Sequence, residues 1–99
     1  MINVEPELLV EVKENLFITW TEEDEAITRI IKRGIKRIEA LVGTGTMDFT
    51  DEVNRDLLIN WCRYERNSAS EFFLENFADE VLFIQLQEAI KAGDVDATT

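Results

Sequence analysis

Hydrophobic positions recur along this chain at the three- to four-residue spacing of a helix. The clearest case runs from Glu22 to Val42. At about 100° per residue, Ile27, Ile31, Ile35, Ile38 and Val42 share one face, with Ile30 and Leu41 beside it. Arg29, Lys32, Arg33, Lys36 and Arg37 fall on the opposite face, and Gly43 follows as a stop. Upstream, "PELLVEVKENLF" puts Pro6 in a first helical turn and spaces Leu8, Leu9, Val12 and Leu16 for a short helix of about three turns. "FITWT" reads as extended. In "TEED", Thr21 and Asp24 have the spacing of a capping box, and Glu22, Glu23 and Asp24 face the positive end of the second helix.

"GTGTMDFT" is a loop, and Thr50 or Asp51 at its end can cap a third helix. From Asp51 to Ala92 there is no proline and no glycine. Val53, Leu57, Leu58, Trp61 and Cys62 keep helical spacing. Ala69, Phe72, Phe73, Phe77, Val81, Ile84 and Gln85 continue it less regularly. The segment is either one long helix or two, broken at Asn67-Ser68 or at Asn76, where side chains compete for backbone bonds. Gly93 ends it, and "DVDATT" over 94–99 reads as a flexible acidic tail. The pattern predicts an all-α protein: a small bundle of a short N-terminal helix and two or three longer amphipathic helices, in one domain over 1–93.

Composition narrows the class. Four glycines and one proline in 99 residues favour helices over a turn-rich β fold. A net charge of −11, from 21 acids against 10 bases, disfavours general affinity for DNA phosphates or anionic membranes. The single cysteine, Cys62, leaves no intramolecular disulfide and suits a reducing compartment. No apolar run approaches the roughly 20 residues of a membrane span. The opening "MINVEPELLVEVKENL" carries acids where a secretory signal carries a basic region. These features lead to the expectation of a soluble, intracellular protein with no membrane partner.

Candidate chemistry concentrates in "NWCRYERNSASEFF", Asn60 to Phe73. A cysteine nucleophile ordinarily needs a neighbouring base, commonly histidine, and the chain has none. Cys62 shares the apolar arc of Leu58 and Trp61 and reads as a packing residue. Zinc is improbable on carboxylates alone, and "DVDATT" lacks the glycine and closing glutamate of a calcium loop. "GTGT" is too short for a phosphate-cradling loop and lacks its lysine. The expectation is a protein with no catalytic residues, no metal and no cofactor. Trp61, Cys62, Phe72 and Phe73 read as core or inter-helix contacts, and Arg63, Glu65 and Arg66 as surface groups open to salt bridges. The five cations of the second helix are either a solvated face, a contact with an acidic neighbouring subunit, or a phosphate contact that the overall charge disfavours.

Three motifs in order, "VKENLFI", "EEDEAI…VGTG" and "NWCRYERNSA", carry a family resemblance. The chain resembles the small head–tail connector (head-completion adaptor) proteins of long-tailed bacteriophages over most of its length. In that family a short helix leads through an extended bend into an acidic helix start. A long amphipathic helix ends in a glycine pair, and a "CRY-x-R-N" helix precedes a Phe- and Leu-rich segment. The resemblance implies a helical subunit that assembles as a ring of about a dozen copies between portal and tail. The ring extends a channel through which DNA passes without specific binding. It implies no catalytic residue and no cofactor, assembly in the host cytoplasm, and a final place at the head–tail junction of the virion. The loop "TGTMDFT" and the stretch after the last helix are short for that family, which weakens any contact built on longer ones.

On this reading, Arg29, Arg33, Lys36, Arg37 and Tyr64 are the expected contacts between subunits. Thr44, Thr46, Met47, Asp48 and Phe49 are the expected contacts with portal or the next connector. Met47 and Phe49 read as exposed, with a hydrophobic staple at the start of the third helix as the alternative for Phe49. The rival function is a small acidic interaction protein that imitates DNA phosphate charge and binds a basic host protein. The basic stripe counts against it.

Overall fold

A computed structural model describes residues 5–43 and 47–92; Thr44, Gly45, Thr46 and everything from Gly93 on lie outside it, the predicted acidic tail included. Four α-helices follow one another: α1 (Pro6–Asn15), α2 (Asp24–Val42), α3 (Glu52–Arg66) and α4 (Phe73–Ala92), with a single 3₁₀ turn over Ser70–Phe72 before α4. No strand occurs among the described residues.

The core is the apolar stripe of α2. Ile27, Ile31, Ile35, Ile38 and Val42 are all buried, and Leu8 and Val12 of α1, Leu57, Leu58, Trp61 and Cys62 of α3, and Phe73, Val81 and Ile84 of α4 close around them. Each such side chain contributes about 1.5–3 kcal/mol relative to leaving it in water. α3 runs antiparallel to α2, since Arg66 at its end pairs with Glu23 at 2.8 Å while Gly34 lies under Leu58 and Trp61 at mid-helix. α4 returns along α3, and Gln85 Nε2 donates to the Leu41 carbonyl at 2.7 Å, tying it to the end of α2.

The helix ends follow local chemistry in most places. Gly43 closes α2 in the left-handed conformation, φ 90°, with its N–H on the Glu39 carbonyl. Asp51, not Thr50, caps α3 by accepting from the Asn54 N–H. The break between α3 and α4 falls at Asn67-Ser68. Ser68 takes φ 56°, and the N–H groups of Ser68 and Ala69 donate to the carbonyls of Glu65 and Tyr64, a Schellman closure. A second irregularity sits beside Asn76: Phe77 leaves helical geometry at φ −121°, ψ 19°, and kinks α4.

Four sequence expectations are corrected. α2 starts at Asp24 with no side-chain cap, and Thr21 contributes only its carbonyl to the Asp24 N–H. The acids of the expected capping box are drawn elsewhere: Asp24 to Lys13 Nζ at 2.6 Å, and Glu23 to Arg66. Phe72 is half exposed rather than a core contact, because the 3₁₀ turn gives the inward position to Phe73. Val53 is likewise outside the core, and its neighbour Asn54 is buried instead, with its Nδ2 donating to the Asp48 carbonyl at 3.0 Å. Met47 and Phe49 are not free loop residues. Both pack against the core, and the Met47 N–H donates to the Glu39 carboxylate.

Candidate interaction surfaces

The helical period that buries the isoleucines of α2 also sends its five cations outward, and all five are exposed. Arg29 lies 3.6 Å from Glu25 one turn earlier, and Arg33 lies 3.7 Å from Glu65 of α3. Such exposed pairs contribute little, about 0–1 kcal/mol. Lys32, Lys36 and Arg37 have no ion-pair partner among the described residues. The outer face of α2 is therefore a positive strip on a negative protein.

α4 has two apolar faces. Phe73, Val81 and Ile84 point inward and are buried, with Phe77 partly so. On the opposite side, Leu82, Phe83, Leu86 and Ile90 recur every three or four residues and are 52–57% exposed. No residue from Gln85 to Ile90 is buried, so this part of α4 lies at the edge of the bundle. From Phe73 to Ile90 the charged residues of α4 are all acids: Glu75, Asp79, Glu80 and Glu88.

Tyr64 meets α4 from α3. Its ring packs edge-on against Phe73 and Phe77, at centroid distances of 5.8 and 5.6 Å, while those two stack on each other at 4.9 Å. Its hydroxyl accepts from Asn76 Nδ2 at 2.9 Å. The ring is thus engaged within the subunit, and its polar tip lies at the surface.

Phe17 follows α1 in a conformation that favours glycine. The N–H groups of Phe17 and Ile18 donate to the carbonyls of Glu14 and Lys13, a Schellman closure with Phe17 in the left-handed slot at φ 59°. That backbone costs a bulky L-residue about 1–2 kcal/mol, and the ring gains no cover, being 88% exposed. Beside it lies an open cavity of about 860 Å³, bordered by Glu14 and Asn15 on one side and Arg63, Arg66 and Asn67 on the other. A smaller groove of about 250 Å³ runs between α3 and α4, with Val53, Leu57 and Phe77 as walls and Asp56, Asn60 and Glu80 at its mouth. A third cleft, about 230 Å³, lies between Glu5 and Leu8 of α1 and the Met47–Thr50 segment.

Among the described residues Cys62, Glu23 and Arg66 are perturbed, the last raised chiefly by its hydrogen bond to Glu23. Burial, with a smaller contribution from nearby Glu65, pushes the Cys62 thiol up to about 12, which keeps it protonated and unreactive at neutral pH. Glu23 is held below the usual carboxylate range, first by the hydrogen bond from Arg66 and then by that from the Trp20 indole, whose Nε1 donates at 2.7 Å. Among the described residues no group of three or more histidine, cysteine or acidic side chains is placed to hold a metal ion. None of the described helices is long and apolar enough to cross a membrane.

Of the residues singled out from sequence, Arg29, Arg33, Lys36 and Arg37 share one exposed face, and Tyr64 stands apart from them in the aromatic cluster. Asp48 is exposed, Met47 and Phe49 are half-buried, and Thr44 and Thr46 lie outside the described residues. Sequence reasoning missed the outer stripe of α4, Phe17 and Gly34. A glycine inside a strong helical pattern was the available signal for the last of these. Compared with known proteins, the chain matches no family model, no curated protein and no solved structure.

Proposed function

We propose that this protein is a structural assembly subunit, a head–tail connector of a tailed bacteriophage. It works as a ring between portal and tail and lengthens the channel through which DNA passes. The observation that carries this reading is the second apolar face of α4. Four large half-exposed side chains in one stripe are out of keeping with a small protein that works alone, and such patches mark association surfaces. The segregated charge supports the same reading. A positive strip on α2 and an acidic remainder suit contacts between unlike faces of successive copies, which close into rings when the rotation allows. A net charge of −11 also suits a lumen that lets DNA slide, because phosphate neutralisation is what creates affinity. In this reading Arg29, Arg33, Lys36 and Arg37 face a neighbouring copy. The loop from Thr44 to Phe49 faces portal or the next connector, with Asp48 as its exposed described residue.

The test is native mass measurement with negative-stain imaging, for the protein alone and mixed with the portal protein of the same phage. Rings of about a dozen copies, or added density beneath the portal, support the connector. A strict monomer that ignores portal and instead binds a basic, DNA-binding host protein in a salt-sensitive way transfers the case to phosphate imitation.

A further inference from the structure

We propose that α1 is an exchangeable arm: each copy passes its α1 to a second copy, where it fills the slot that α1 fills within one chain. The exchange rests on the self-association of the connector reading and names the segment that crosses between copies.

The first argument is the slot, which calls for an α1 from any copy. Leu8 and Val12 are buried where α1 meets α2 and α3. Glu11 Oε2 lies 3.0 Å from Arg55 Nε of α3, and Lys13 Nζ lies 2.6 Å from Asp24 Oδ1 at the start of α2. Arg55 Nε and Asp24 Oδ1 are shut off from water in the packed bundle. A vacant slot would part both ion pairs and uncover apolar surface. None of these contacts depends on the chain running unbroken from α1 to α2. The α1 of a second copy therefore meets the same partners in the same geometry, and the occupant is selected by identity with a contact already made.

The second argument is that α1 does not stand alone. Its 10 residues fall short of the roughly 12–15 at which an isolated helix becomes even marginal in water. An arm that leaves its own slot folds only on another.

The third argument is the hinge. Phe17, left-handed at φ 59°, is the residue that turns α1 back onto its own bundle, and its ring is 88% exposed, so no packing of the ring holds the turn shut. In the closed turn the Phe17 and Ile18 N–H groups donate to the Glu14 and Lys13 carbonyls. With Phe17 in the ordinary helical region, the same two groups would meet Lys13 and Glu14 in helical order, and α1 would run straight on past Leu16. Straightening thus keeps both backbone bonds, removes the left-handed strain and points α1 away from its own slot. A short hinge under strain favours exchange of the element it carries. Passed from each copy to the next, the arm joins copies head to tail, the manner that closes rings.

The experiment exchanges charge between chains. One chain carries Glu11→Arg and the other Arg55→Glu, so each alone sets like charges against each other where α1 meets α3. Once mixed, the arm of the first fits the slot of the second, and the arm of the second fits the unaltered slot of the first. Native mass measurement should show heteromers of the two chains, with about tenfold more associated protein than either chain gives alone at the same total concentration. Phe17→Gly takes the left-handed turn without strain. In an otherwise unaltered chain it should keep the helical circular dichroism and weaken self-association about five- to thirtyfold by sedimentation. No gain on mixing, or a glycine variant that associates as well as the parent, overturns the exchange. The two proposals fail separately. Portal binding without heteromers on mixing leaves the connector standing and removes the exchange, whereas heteromers in a protein indifferent to portal do the reverse.

Discussion

α2 and α4 are nearly equal in length, 19 and 20 residues, and each buries one face in the same core. Their outer faces differ. α2 carries five cations outward and is complete once its isoleucines are covered. α4 turns Leu82, Phe83, Leu86 and Ile90 to water, opposite the Phe73–Ile84 face. A helix that is apolar on one stripe needs one packing surface, and a helix that is apolar on two needs a second. The fold supplies the first surface, and among the described residues it leaves the second uncovered.

The sharpest way to break this contrast is to cut equivalent side chains from the two helices. Ile38→Ala should lower unfolding free energy by about 2–5 kcal/mol. Leu86→Ala, at a position 53% exposed, should stay within about 0.5 kcal/mol of the parent in the monomer. Urea unfolding at low protein concentration measures both, and equal losses would mean that the outer stripe of α4 is already packed within the subunit.

A smaller effect is expected at the crossing of α2 and α3. A Cβ at Gly34 would sit 2.8 Å from both Leu58 Cδ1 and Trp61 Cε3, and both of those side chains are buried. Gly34→Val should therefore cost about 1–3 kcal/mol in thermal or urea unfolding. Gly34→Ala should cost less, because the gain in helix propensity, about 1 kcal/mol, offsets part of the clash. A neutral Gly34→Val would show that the α2 face is looser than its burial implies.

On the outer face of α2, Arg33→Glu with Arg37→Glu should leave monomer stability within about 0.5 kcal/mol, since the pairs there are exposed. The same double change should abolish ring formation by native mass measurement. Rings that persist would remove the basic strip from the assembly and leave α4 as the sole candidate surface among the two.

The smallest effect concerns the clasp between the start of α2 and the end of α3. The carboxyl of Glu23 is depressed in the folded chain, so its contribution is present above its ordinary value of 4.5 and fades as pH falls through the folded value. Glu23→Gln should therefore trail the parent by a constant, small margin at neutral pH. The two should converge below pH 4.5, and added salt should narrow the gap. A margin that widens in acid would contradict the pairing with Arg66.

Much of the bundle was legible because the relevant information is local. The period of Ile27, Ile31, Ile35, Ile38 and Val42 fixes the buried face of α2 whatever it meets, and Gly43 and Asp51 act within a turn of their own helices. The helix start at Thr21 was misread for the opposite reason. The ion pairs that claim Glu23 and Asp24 come from Arg66 and Lys13, 43 and 11 residues away along the chain. Phe72 and Phe73 could not be ranked, because an apolar pair at a helix start is sorted by the 3₁₀ turn that precedes it. Asn54 could not be placed inside without knowing that the Asp48 carbonyl would be there to meet it.

Sequence alone determined that this chain is helical, that α2 ends at Gly43, that the charge is strongly negative, and that five of the ten cations lie along one face of α2. Periodicity and capping act over one or two turns, and charge is a sum over residues, so none of these needs a partner to be known. The tertiary structure decided which apolar face of α4 is covered, that Gly34 lets α3 approach, and that Phe17 is left in the open on a left-handed backbone. Those outcomes depend on which surfaces come together across 20 residues or more of intervening chain, and helical spacing carries no record of that.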